Sequence, residues 1–139
     1  MSGNTMSIDP DNCRVLVSSG TYRVLSQYES AFLDTGDAMF DIGDLDGEPS
    51  CALIDTDAGW CVVGGHGLWV AKLGAHFKGL QAEQPKYTVA QVIWIGQRTP
   101  DFTGLWRVDD ELIHGLSNPG LADAALFEIN VTALTFRRI

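Results

Sequence analysis

From residue 13 onward the chain is a succession of short apolar runs rich in Val, Ile, Tyr, Trp and Phe, separated by clusters of Gly, Asp and Ser. The runs at residues 13–18, 22–28, 51–56, 59–65, 67–73, 88–96, 104–108 and 126–136 have the length and the β-branched and aromatic content of strands. Within residues 126–136, Phe127, Ile129 and Val131 alternate with Glu128, Asn130 and Thr132, which is the period of a half-buried strand. Leu134 and Phe136 then fall on the other parity, so the pattern predicts one strand with a bulge near Ala133.

The strongest supersecondary signal lies at residues 50–73. Three apolar runs are joined there by Asp57-Ala58-Gly59 and by Gly64-Gly65-His66-Gly67, which predicts a three-stranded meander with His66 at a hairpin tip. Trp60 and Trp69 flank that tip and are expected to meet across the hairpin. Helical signals are confined to residues 75–84, ahead of Pro85, and to a short turn at residues 121–125. The expected fold is mainly β: an antiparallel meander sheet or a small barrel or sandwich, with one or two short helices. Residues 1–12 are polar and aperiodic and read as a frayed tail, leaving residues 13–139 as one domain. The core is expected to include Val15, Leu53, Val62, Val70, Ile93, Ile95, Ile129 and Val131. No repeat of 20 to 50 residues emerges. The meander is similar to a single propeller blade over about 20 residues, a likeness that implies antiparallel pairing and carries no site residue.

Composition narrows the functional classes. The 139 residues are 45% hydrophobic, enough for a packed core. No apolar window approaches the ~18 residues of a membrane span, and the N-terminus has neither the basic cluster nor the apolar core of a signal peptide. A cytoplasmic protein is the simplest expectation. Nine Lys and Arg against eighteen Asp and Glu give a net charge of -9, a field that repels nucleic acid and anionic membrane surfaces. Half of those acids fall between Glu29 and Asp57, and no Lys or Arg lies between Arg23 and Lys72. One reading is a solvated loop surface that keeps an apolar domain in solution. The other is a docking face for a basic partner, formed by Asp34, Asp37, Asp41, Asp44, Asp46, Glu48, Asp55 and Asp57, with His66 beside it.

Motifs for chemistry are absent. Cys13, Cys51 and Cys61 are odd in number without a secretory signal and read as reduced thiols, Cys13 and Cys61 lying in apolar runs. Asp44-Leu45-Asp46-Gly47-Glu48 resembles part of a calcium loop, but with Gly47 at the sixth position Ile42 and Leu53 stand where the first and twelfth ligands belong. The glycines around His66 lead into Leu68-Trp69-Val70, a strand, so no helix N-terminus is there to hold a phosphate. No pair of Cys or His has the local spacing of a zinc site, and no nucleophile elbow accompanies His66. No metal, no cofactor and no catalytic residue are therefore assigned. Trp60, Trp69, Trp94 and Trp106 read first as core fillers and second as interface anchors.

In size, acidity and want of catalytic motifs the chain resembles, at the level of a class, the immunity proteins that bacteria hold against their own polymorphic toxins. The resemblance implies an acidic inhibitory protein, not an enzyme, that neutralises a basic protein partner such as a cognate toxin. The alternative is a small β-barrel enzyme or small-molecule binder with a site assembled from distant residues such as His66, Trp94 and Trp106. A deep pocket favours the second reading, and a broad acidic surface the first.

Overall fold

The computed structural model describes residues 12–36, 38–72, 88–94, 98–118 and 120–139. Among these residues it is mainly β, built from three antiparallel four-stranded sheets with no closed barrel. Sheet 1 is the meander β1 (Arg14–Ser19), β2 (Tyr22–Gln27), β3 (Ser30–Asp34) and β4 (Met39–Asp44). Sheet 2 follows as β5 (Cys51–Asp55), β6 (Trp60–Gly65), β7 (Gly67–Lys72) and β8 (Thr88–Gln91). Sheet 3 is β9 (Phe102–Arg107), β10 (Leu112–Ser117), β11 (Ala125–Asn130) and β12 (Thr135–Arg138).

Short polar side chains close the hairpins at one end of these sheets, here called the lower end. Asp34 accepts the amide of Gly36, Asp55 those of Asp57 and Ala58, Asp109 those of Glu111 and Leu112, and Asn130 those of Thr132 and Ala133. Each supplies an acceptor two or three residues ahead of itself, which turns the chain without a partner strand. The Asn130 turn corrects one expectation. Residues 126–136 are two strands, β11 and β12, and the change of parity marks a reversal at residues 131–134, where Leu134 takes φ 59°, rather than a bulge.

Sheet 2 lies between the other two. Along β6, Trp60 and Val62 point into one apolar cluster and Cys61 and Val63 into the other, so every residue of the strand is buried. The first cluster joins Trp60, Val62, Leu68 and Val70 to Phe102, Leu105, Ile113, Phe127 and Ile129 of sheet 3. Trp94 sits in it with its ring 5.4 Å from Phe102, 5.2 Å from Phe127 and 4.3 Å from Phe136. The second joins Ala52, Cys61, Val63 and Ala71 to Val24, Ala31, Leu33, Phe40 and Ile42 of sheet 1. The indole N–H of Trp69 also donates to the carbonyl of Asp44 (3.1 Å), its ring seated over Gly43, where a Cβ would lie 3.1 Å from it.

Several expectations are revised. Residues 29–44 are not a solvated loop, because β3 and β4 bury Phe32, Leu33, Phe40 and Ile42. Trp60 pairs with Lys72 and Trp69 with Val63, so the two indoles lie on opposite faces and do not meet. Val62, Val70, Ile129 and Val131 are core, and Leu53 is partly buried against it. Val15 is exposed because β1 is an edge strand whose register shifts between Val15 and Val17, turning Leu16 and Val17 inward instead. Ile93 is 64% exposed because Val92 and Trp94 take the inward parity. Residues 121–124 form a turn without a helix, and the helix expected at residues 75–84, like Ile95 and the tail at residues 1–11, lies outside the described residues.

Within sheet 3 the side chains of β9 lie over β10 closely enough that β10 needs a glycine. A Cβ on Gly115 would lie 2.7 Å from the buried ring of Phe102. Gly115→Ala should lower unfolding free energy by about 1–3 kcal/mol through overpacking, offset only in part by the ~0.4–1 kcal/mol gained from a less flexible unfolded chain. Urea denaturation checks this, and a variant as stable as the wild type would contradict the packing described.

Candidate functional site: the upper end of the sheets

The upper end carries the β6–β7 turn, the β4–β5 connection and the approach to β9. His66 stands alone between Gly65 and Gly67, as the glycine cluster predicts, and forms an isolated bridge with Asp101. Its Nδ1 lies 2.6 Å from Asp101 Oδ1. An ionised carboxylate only accepts, so Nδ1 carries the hydrogen and Nε2 is the lone-pair nitrogen of the neutral ring. Residues 45–50 cross over Gly65, whose virtual Cβ would meet Leu45 and the backbone of Glu48 and Pro49. Ser50 Oγ then donates to the carbonyl of Phe102, which fixes this connection to the start of β9.

Beside His66 a cleft of about 670 Å³ opens between the approach to β9 and the β10–β11 connection. Pro100, Leu121, Ala125 and Phe127 form its apolar lining, and Arg98 and Arg138 are its cations. Sequence reasoning found none of these except His66, since they come from four separate segments and no spacing signals their convergence. Trp94 meets Phe127 edge-on in the core, and Trp106 lies on the opposite face of sheet 3, 50% exposed. The trio His66, Trp94 and Trp106 is therefore not a pocket. Trp106 instead begins a row across the far face of that sheet, continued by His114, Glu128 and Arg137 at paired positions. Arg137 bonds Glu128 (2.9 Å) and, opposed by some desolvation, holds its carboxyl below the usual range, with His114 adding to the effect.

The acidic stretch divides in space. Ser30 pairs with Asp44 and Asp34 with Met39, so Asp34 lies at the lower end and Asp44 at the upper, about 15–20 Å apart at the rise of a strand. Asp34 is buried and paired with Arg23 (2.6 Å). Asp55 is buried at the lower end of β5 and paired with Arg107 (2.6 Å), which also binds Asp110. Burial pushes the Asp55 carboxyl upward, but the amide of Ala58, the Arg107 guanidinium and the amide of Asp57 outweigh it and hold the group below the usual range. These two acids serve the fold and leave the expected docking face. Asp57 is exposed at the lower end, and Asp37 lies outside the described residues.

Asp44, Asp46 and Glu48 are exposed at the upper end, and among the described residues no Lys or Arg pairs with any of them. Asp44 accepts the hydroxyl of Ser30 (2.6 Å). Asp41, three residues earlier on β4, is raised by burial and by the neighbouring charge of Asp44, against the amide of Gly43. Crowded like charges of this kind oppose folding slightly. Both remaining described thiols of sheet 2 are pushed up by burial, Cys51 to about 11 and Cys61 to about 12, so neither is a nucleophile at neutral pH. Among the described residues no helix is long and apolar enough to cross a membrane. No protein-family model matches the chain, and neither a curated protein nor a solved structure matches it.

Asp55→Asn should cost about 1–3 kcal/mol at pH 7, the worth of hydrogen bonds to a charged group. A carboxyl held low in the folded state stabilises above its unfolded pKa of ~3.9 and loses that contribution as pH falls through the folded value. The gap between wild type and variant should therefore close below about pH 4. Denaturation curves at pH 7 and pH 3 check this, and a gap that is constant across that range would contradict it.

Proposed function

We propose that this is an acidic binding protein that neutralises a basic protein partner, with the upper-end group Asp41, Asp44, Asp46 and Glu48, beside His66, as its docking face. The observation that carries the reading is the distribution of countercharge. Arg23 and Arg107, both from outside the acidic stretch, pair with the acids that are buried, while Asp44, Asp46 and Glu48 stay exposed without a cation among the described residues. Such a group raises the association rate with a cationic partner above the ~10⁵–10⁶ M⁻¹s⁻¹ of unsteered docking and lowers it for anionic competitors. Its resemblance to toxin immunity proteins makes a cognate basic toxin the natural partner, whose phosphate-binding site an acidic face would occlude.

The lower end offers a weaker alternative. Asp57, Asp109, Asp110 and Glu111 gather acids there too, but Asp109 closes a turn and Asp110 is bound by Arg107. A direct test uses the wild type and the variant Asp44→Asn/Asp46→Asn/Glu48→Gln as baits for a basic partner, followed by stopped-flow association of the captured protein at two salt concentrations. Each exposed charge contributes less than ~1 kcal/mol to stability, so the variant should fold as the wild type does. Association should slow at least tenfold at low salt and lose much of its salt dependence. Equal rates for the two baits would place the interface elsewhere.

A further inference from the structure

The cleft beside His66 combines features that the docking reading does not use. In a chain with eighteen acids and nine bases, two of the bases, Arg98 and Arg138, line this one cavity together with a histidine. Its carboxylates, Asp101 and Asp123, each hold one neighbouring side chain. Asp101 is held by His66 Nδ1 at 2.6 Å, and Asp123 accepts the amide of Asn118 at 3.2 Å. Among the described residues Arg138 makes one long bond, to the carbonyl of Ala124 (3.3 Å), which leaves most of its five donors uncommitted there, and Arg98 forms no ion pair. What the cleft presents to an incoming molecule therefore includes two guanidinium groups with open donors beside two carboxylates that each hold a neighbour, although the protein as a whole is strongly anionic.

The same cavity has an apolar lining. Phe127 is 3% exposed and held from behind by Trp94, Phe102 and Phe136, so its ring is a rigid wall. A volume of 670 Å³ falls within the range of small-molecule sites, which pair an apolar lining with a few polar groups that fix orientation. A hydrated inorganic anion would leave that lining unused, and a neutral apolar molecule would leave the guanidinium groups unpaired.

We propose that this cleft binds a small organic anion, a carboxylate or phosphate on a flat apolar body, with the body against Phe127 and Leu121 and the anion between Arg98 and Arg138. Guanidinium forks match the geometry of both oxyanions. His66, fixed through Asp101, presents Nε2 to a protonated oxygen of the ligand when neutral and donates to the anion when charged. The assignment is independent of the docking face, since it needs no exposed acid and no protein partner.

Isothermal titration calorimetry at low salt tests it with phenyl phosphate as the probe, benzyl alcohol as the uncharged comparison and inorganic phosphate as the comparison without an apolar body. Phenyl phosphate should bind saturably at one site and at least tenfold tighter than either comparison. Arg98→Gln/Arg138→Gln should weaken it tenfold or more, about the loss of one to two charge-assisted bonds. Lys72→Gln, which removes one charge at the lower end, should change it less than twofold. Arg98 is exposed, so Arg98→Gln alone provides a folded variant if the double one is unstable, and it should still weaken binding severalfold. The assignment falls if the folded wild type shows no saturable binding of phenyl phosphate or if benzyl alcohol or inorganic phosphate binds as tightly. It falls equally if the arginine variants bind as the wild type does.

Discussion

Burial of the second sheet on both faces is the constraint from which the rest of the structure follows. A strand with a packed layer on either side has no position for a polar side chain, and β6 reads Trp-Cys-Val-Val-Gly-Gly, all buried. Its two glycines are places where neighbours come too close for a side chain. A Cβ on Gly64 would stand 2.9 Å from the thiol of Cys51 and 3.1 Å from Phe102, and one on Gly65 would stand 3.0 Å from Leu45. Each outer sheet then needs only one apolar face toward the centre, which is why β10 and β11 alternate so regularly while β6 does not. A slip of one residue in β6 would exchange Val62 with Val63 between the two cores and displace both.

An interior this apolar sends charge to the ends of the strands. At the lower end the acids are working parts of the fold: Asp34, Asp55 and Asp109 build turns, and Arg23 and Arg107 neutralise the two that are buried. Arg107 also ties sheet 3 to sheet 2, as does the bond from Trp60 Nε1 to the carbonyl of Asp110. The upper end differs. Among the described residues its acids on the β4–β5 connection have no comparable structural duty, and its bases line a cleft without being consumed by ion pairs. The two ends thus divide the charged residues between holding the hairpins closed and facing outward, and the functional proposals rest on the second group.

How much of this was legible in the sequence depends on whether a signal was local. The meander of β5 to β7 was, because glycine turns bound continuous apolar runs, and so were β1, β2 and β9. Strands β3 and β4 were hidden because acids interrupt their apolar residues, Asp34, Asp41 and Asp44 standing among Leu33, Phe40 and Ile42. The β11–β12 reversal was visible as a change of parity but read as a bulge, since Asn130 closing the turn carries no glycine to announce it. Ile93 and Trp94 are both apolar neighbours in one run, so the sequence does not reveal that the bulkier Trp94, with Val92, sets the inward face. Sequence showed eight acids as one face because it could not show that a hairpin separates Asp34 from Asp44 by the length of a strand. The cleft was illegible for a different reason: His66, Arg98, Asp101, Asn118 and Arg138 are brought together by sheet stacking, which leaves no spacing to find.

Amide hydrogen exchange in the native state tests the central claim most directly. If the second sheet is the buried middle of the molecule, the amides of Cys61, Val62 and Val63 should be the slowest to exchange, with a free energy equal to that of global unfolding, while those of the edge strands β1 and β12 open locally at lower cost. Exchange of the β6 amides as fast as those of β1 or β12 would contradict a fold organised around a doubly covered sheet.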